Sequence, residues 1–309
     1  MFSLKIVVGT LELGLMYAIM VLGVYLTFRV LNYADLSVEG SFTLGAATAA
    51  TLIFQGYNPW LATAIAFFVG CIAGIFTGIF HTKFKITALL SGILTMTALW
   101  SINLRVMGKA NISLLKTRTI FTDFKSFPGM NQYGTLILGL LTIIILGILI
   151  YLFLNTEIGL ALRATGDNEL MIRSLGVNTD VMKILGLGLS NGLVAFSGSF
   201  VAQHQQFADA SMGVGMIVAG LASVIIGEVL VGTSSIGRTI LAVICGGVIY
   251  RTIIAIVLRL GLEPTDLKLL TAVIVLIALV SPSLKSKFSA FNGGILRKGD
   301  SYANSSESN

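Results

Sequence analysis

GTLILGLLTIIILGILIYLFL followed by NTEIGLALRATGDNELMIRSLGVNTD, residues 134–180, is the stretch that decides how this chain folds. Its first part, 134–154, carries no charge and is long enough for a helix to cross a bilayer core, which takes about 20 residues. Its second part carries Glu157, Arg163, Asp167, Glu169, Arg173 and Asp180, the densest mix of both signs in the sequence. A lipid-compatible helix therefore runs into a water-facing, charged elbow. The elbow's Leu160, Leu162, Leu170, Ile172 and Leu175 fit two short amphipathic helices separated near Gly166. Asp167 or Asn168 is placed to cap the second helix, and Gly176 to end it.

The rest of the sequence agrees. Of 309 residues, 55% are hydrophobic and only 11% charged, against roughly a quarter charged in soluble domains. Mean hydropathy is +0.92. This excludes a water-soluble globule, and the apolar content excludes disorder. Cys71 and Cys245 sit in apolar runs without metal-site spacing, so neither a disulfide framework nor a metal site is expected. The net charge of +6 does not point to nucleic acid, because the cations, apart from Lys285, Lys287, Arg297 and Lys298 in the tail, lie scattered at the ends of apolar runs.

Windows with at most one charge divide the chain into about nine hydrophobic segments: 6–28, 41–54, 60–82, 86–104, 134–154, 184–203, 213–230, 239–258 and 267–280. The fold class expected is all-α, a polytopic transmembrane helical bundle. The second and last segments are short enough to be half-helices that enter and leave by one face. Pro59, Pro128, Pro264 and Pro282 all fall at segment boundaries, as they must where a lost backbone hydrogen bond is costly. Gly70, Gly74 and Gly78 line one helix face, and Gly186, Gly188, Gly192 and Gly198 join Ser190 and Ser197 on another. Small-residue strips of this kind let helices approach closely in lipid. Residues 1–284 read as the membrane domain and 285–309 as a polar, disordered cytoplasmic tail. Placing the elbow and tail inside puts the N-terminus outside, which the distribution of Lys and Arg mildly favours.

An elbow of 26 residues is long beside typical connections of about 4–6 residues, and long ordered connections tend to be functional. Its pattern E-x-G-x-A-x-R-A-T-G-x-N at 157–168, with SLGVN at 174–178, resembles the cytoplasmic loop of ABC importer permeases of the branched-chain amino acid type. GLMYAIMVLGVYLTFRVLNYA at 14–34, with DLSVEG at 35–40, resembles that family's first span and the loop after it. Residues 200–232 resemble its late spans. ITALLSGILTMTALWSINLRVMG at 86–108 resembles a Gram-positive subgroup linked to aromatic amino acid uptake, tryptophan in particular.

The resemblance implies a permease subunit in the bacterial plasma membrane that takes an amino acid from an extracellular substrate-binding lipoprotein. It implies coupling helices at 155–182 that engage a cytoplasmic ABC ATPase through Glu157, Arg163, Ala164, Thr165, Gly166, Asp167, Asn168, Glu169, Arg173 and Gly176. It also implies two ATPase copies and a second permease copy. No G-x-x-x-x-G-K-[ST] phosphate loop occurs in the sequence, so no catalysis or cofactor is expected in this chain. ATP and magnesium belong to the partner ATPase.

Polar groups inside the segments are the candidates for a path. Asn32, Asp35, Asn103, Asn191, Gln203, His204 and Glu228 are of types that exchange hydrogen bonds with a polar solute, although interhelical bonding explains such residues as well. Glu12 and Arg251 fall at similar depth by helical rise, where they could pair. Trp60 and Trp100 suit an interfacial belt. A secondary, ion-coupled transporter of a small polar solute is the alternative function. It would need midmembrane carboxylates and usually an inverted repeat, of which the sequence shows few and none.

Overall fold

The computed structural model describes residues 4–125, 133–261, 266, 269, 271–274 and 276. In chain order the elements are α1 (Leu4–Tyr25) with a π-helical turn (Leu26–Val30), α2 (Ser37–Phe54), α3 (Pro59–Thr82), α4 (Ala88–Met107), β1 (Asn111–Ser113), α5 (Ile120–Lys125), α6 (Gly134–Leu154), α7 (Glu157–Asp167), α8 (Glu169–Ser174), α9 (Thr179–Gln205), β2 (Phe207–Asp209), α10 (Met216–Val231) and α11 (Ile236–Arg259). Among the described residues, six helices are long and apolar enough to cross a membrane: α1 with its π turn, α3, α4, α6, α9 and α11. The tail at 285–309 and most of the segment at 267–280 lie outside the described residues, as do Pro128, Pro264 and Pro282. Pro59 starts α3, where the Asn58 side chain accepts a bond from the Trp60 N–H at 2.9 Å.

Interhelical contacts give the bundle two distinct ends. The α7–α8 elbow joins the ends of α6 and α9 at one. At the other, β1 and β2 pair antiparallel, with Ile112 opposite Ala208. This ladder departs from the all-helical expectation, and three-residue strands are too short to leave a period-2 signature.

The centre is built from α1, α2 and α9. Met16, Ile19, Leu22, Phe42, Leu187 and Phe200 are completely enclosed there or nearly so. Close approach depends on missing side chains. A Cβ at Gly45 would collide with the Ala195 carbonyl, one at Gly74 with the Leu187 carbonyl, and one at Gly198 with the Phe42 carbonyl. The small-residue strips thus seat α3 and α2 on α9 at backbone distance. Ser190 and Ser197 then donate to the carbonyls of Gly23 and Met16, each at 2.7 Å. Such interhelical bonds contribute about 0.6 kcal/mol apiece in membranes, so packing dominates. On α6, by contrast, Leu141, Ile145, Ile148 and Leu152 face outward, as a lipid-contacting helix requires.

The expectation for the short segment at 41–54 changes. Helix α2 begins at Ser37, not Ser41, and deep inside the bundle: the Ser37 hydroxyl oxygen lies 3.1 Å from Asn191 Oδ1, near the middle of α9. It ends at the ladder end, where Ala50 packs in one cluster with Ala202 and Ala208. The chain therefore passes through the bundle along 31–36 and does not return to the face it entered. Falling short of a full span instead is α10, whose 16 residues reach about 24 Å of a core about 30 Å thick. It is reached by a descent from β2 in which the Gly213 N–H donates to Thr43 Oγ1 at 3.1 Å and the Gly215 N–H to Glu39 Oε1 at 2.9 Å.

Candidate functional site

The elbow is built by local signals. Thr156 caps α7 by accepting from the Gly159 N–H at 3.2 Å, and Glu157 stands in its first turn. Asn168 both ends α7 and caps α8, accepting from the Met171 N–H at 3.0 Å. Gly176 turns the chain at a φ of 87°, a left-handed conformation that favours glycine. The break between the helices falls at Asn168 and not at Gly166. Gly166 lies inside α7, where a Cβ would strike the Val30 carbonyl and the Leu31 backbone. Its smallness serves contact with the end of α1, a tertiary reason invisible in local pattern.

Charges tie the elbow to α9. Glu169 accepts from Lys183 Nζ at 2.7 Å, from Thr179 Oγ1 at 3.2 Å and from Arg173 at 3.3 Å. Arg173 also reaches Thr179 at 2.8 Å and lies 3.5 Å from Asp180. The hydrogen bond from Lys183 is the main reason Glu169 titrates below the usual carboxylate range. Leu162, Thr165 and Ile172 turn inward. Leu170 and Leu175, expected on an apolar packing face, instead point out, 79% and 71% exposed.

Beside the elbow is a groove of about 770 Å³ with Arg29, Asn32, Arg163, Ala164, Gly166 and Asp167 on its walls. Asn32 on its wall adopts a positive φ of 52°. Nearby, Arg29 on the π turn grips Glu228 near the end of α10 with two nitrogens, Nε meeting Oε1 at 2.7 Å. Sequence reading singled out Glu228 but missed Arg29. A lone cation at the end of the first span was the available signal. One extra residue in the helical turn accompanies it, a device common at functional sites.

Deeper groups bond to one another more than they line a channel. Asp35 is 2% exposed, and it accepts from the Ser37 N–H at 2.9 Å, the Ser37 hydroxyl at 2.5 Å and Asn191 Nδ2 at 2.7 Å. A carboxylate in a span costs about 2.5–3.5 kcal/mol on insertion scales. The bonds reach both of its oxygens, Oδ1 from Ser37 and Oδ2 from Asn191, so neither is left without a partner in the bundle. Gln203 bridges the start of α5 to α3, accepting from the Ile120 N–H at 3.1 Å and donating to Thr63 at 2.8 Å. Asn103 donates to the Gly40 carbonyl at 3.2 Å, while its Oδ1 has no partner among the described residues. It borders a cavity of about 150 Å³ shared with Glu39 and Trp100.

The expected Glu12–Arg251 pair does not form. Glu12 faces His204 across 4.0 Å, and the Arg251 guanidinium lies over the Tyr17 ring, 4.1 Å from its centre. Depth was read correctly, but azimuth was not. Residues 12 and 17 sit about 140° apart around α1 at 3.6 residues per turn, so Arg251 meets the wrong face of that helix for Glu12. Among the described residues, no three His, Cys, Asp or Glu side chains converge to hold a metal ion.

A polytopic helical bundle with a structured, charged elbow between two spans is the architecture of a membrane transport subunit. The chain belongs to the family of permease components of branched-chain amino acid transport systems, whose sequence profile it matches over residues 6–280. It is 41% identical to the tyrosine transport system permease protein of Clostridioides difficile (strain R20291), over 94% of this chain and 96% of that one. It is 31% identical to an uncharacterised protein of Rickettsia prowazekii (strain Madrid E), over 90% and 98%. The autoinducer 2 import system permease protein LsrC of Escherichia coli O9:H4 is 27% identical, over 63% of this chain and 56% of its own. The chain is thus a permease component of an ABC transporter, a multi-pass protein of the plasma membrane with an ATPase partner.

Proposed function

We propose that this chain is the translocating subunit of an importer for an aromatic amino acid, with the α7–α8 elbow as the handle through which a separate cytoplasmic ATPase moves it. The elbow carries the reading. One side of it is fastened to α1 and α9, while its tip presents Leu170 and Leu175 outward. Apolar side chains on a water-facing connection call for a partner surface. In this reading the elbow end faces the cytoplasm, two ATPase copies hold ATP and magnesium, two permease copies form the conduit, and an extracellular lipoprotein delivers the solute.

ATP-driven closure of the ATPase pair would shift both elbows, and the rigid connections to α6 and α9 would carry that shift into the spans. Coupling requires the solute to bind the outward- and inward-open states with different affinity. The substrate class follows the 41% identical relative, a tyrosine transport permease by name. Tryptophan is a second candidate, from the likeness of residues 86–108 to aromatic uptake permeases.

A combined Arg163→Glu and Arg173→Glu variant tests the handle. It should remain in the membrane yet lose co-purification with the ATPase and lose uptake. Because Arg173 is held within the elbow, Leu170→Asp serves as a second variant that leaves the ion pairs intact. Retention of ATPase binding and uptake by both would refute the assignment. Uptake of labelled tyrosine and tryptophan in a deletion strain tests the substrate class separately.

A further inference from the structure

Where α10 begins inside the bundle, a cavity of about 260 Å³ opens between α1, α10 and α11, bordered by Tyr17, Val214, Gly215, Met216, Tyr250 and Arg251. It is slightly smaller than the roughly 300–1,000 Å³ of sites for drug-sized ligands, a scale that suits a small solute. Three independent features give it one chemical preference. Arg251 carries a positive charge within a membrane span and has no acidic partner among the described residues; it is stacked on the Tyr17 ring. Tyr250 is 4% exposed, and its hydroxyl lacks any hydrogen-bond partner among the described residues. No side chain caps α10, and the N–H groups of Ile217 and Val218 are unpartnered among the described residues.

Each feature is a donor or a positive potential awaiting an acceptor. A helix N-terminus favours anions, a guanidinium pairs with a carboxylate through two parallel bonds, and a buried hydroxyl without a partner is costly. Intramembrane ions of this kind mark substrate paths by default. We propose that this cavity is a carboxylate-binding site on the translocation path, in which Arg251, Tyr250 and the start of α10 hold the α-carboxylate of the amino acid while Tyr17 walls its side chain. The assignment rests on the importer reading above and adds to it the residues that touch the solute.

The test uses the full chain in lipid nanodiscs and ligand-observed NMR, with L-tyrosine, L-leucine, tyramine and 3-(4-hydroxyphenyl)propanoate as probes. The two amino acids and the deaminated acid should compete for one site, and tyramine, which lacks the carboxylate, should not. Arg251→Gln should weaken binding at least tenfold and Tyr250→Phe severalfold, while Arg251→Lys keeps part of the affinity and guards against misfolding of the Gln variant. Tyramine binding as well as tyrosine, wild-type affinity in both Arg251→Gln and Tyr250→Phe, or no binding of any probe by the wild-type chain would each overturn the proposal. Leucine binding without tyrosine binding, still lost in Arg251→Gln, would uphold the carboxylate site and remove the aromatic reading alone.

Discussion

At the scale of single residues, the Arg29–Glu228 pair is a two-nitrogen contact between distant parts of the chain. It joins two helices whose partners are 199 positions apart in sequence. Glu228 is nearly enclosed, with its side chain 9% exposed, whereas that of Arg29 is 49% exposed. Solvent screening on the arginine side therefore holds the pair's worth to about 1–2 kcal/mol, between exposed and buried pairs. Glu228→Gln should lower the unfolding midpoint of the detergent-solubilised chain accordingly. The exchange Arg29→Glu with Glu228→Arg should recover at least half of the loss. A swap no better than either single reversal would show that the pair contributes through something other than its charges.

Elements repeat the same division between local and tertiary causes. The cap at Asn168, one of the two residues expected there, was readable because a cap needs only the next two or three residues, and Asn58 and Thr156 cap by the same local rule. The role of Gly166 and the bond from the Ile120 N–H to Gln203 were not, since both depend on which helix lies alongside. Depth follows from counting residues and facing does not, which is why Glu12 and Arg251 were brought together in error. The elbow as an element has a defined pH response. Glu169 is held below the ordinary glutamate value of 4.5, first by its bond from Lys183. Its contribution is complete above that value and is lost as pH falls through the lower, folded one. Amide exchange over 157–183 should accelerate as pH drops below the carboxylate range, after correction for intrinsic rates. Lys183→Met should move that change to higher pH, and an unshifted profile would remove Glu169 as its cause.

For the whole molecule, the sequence legibly divides into lipid-facing and enclosed helices by the kind of residue each carries. Helix α6 is aliphatic all round and faces outward, while α2 and α9 are rich in Gly, Ala, Ser and Thr and face each other. Which of these helices would run the full depth was less legible. Residues 213–230 are apolar enough for a span, yet their first three residues descend beside α2 and leave a short helix starting inside. Hydropathy averages over that descent, and only the bonds of Gly213 and Gly215 to α2 explain where the helix starts.

The enclosure of α2 has a consequence for synthesis. Fourteen of its 18 residues are buried, and the acid at its threshold, Asp35, takes one of its three bonds from a side chain 156 positions later. During translation that segment leaves the ribosome long before its surroundings exist, so it cannot settle in bilayer as an autonomous unit. Nascent chains arrested ahead of Asn191 should leave it accessible to water-borne thiol reagents at an engineered Ala47→Cys, and chains arrested beyond the end of α9 should shield it. Equal labelling at both lengths would mean that the pocket around this helix closes by some other route.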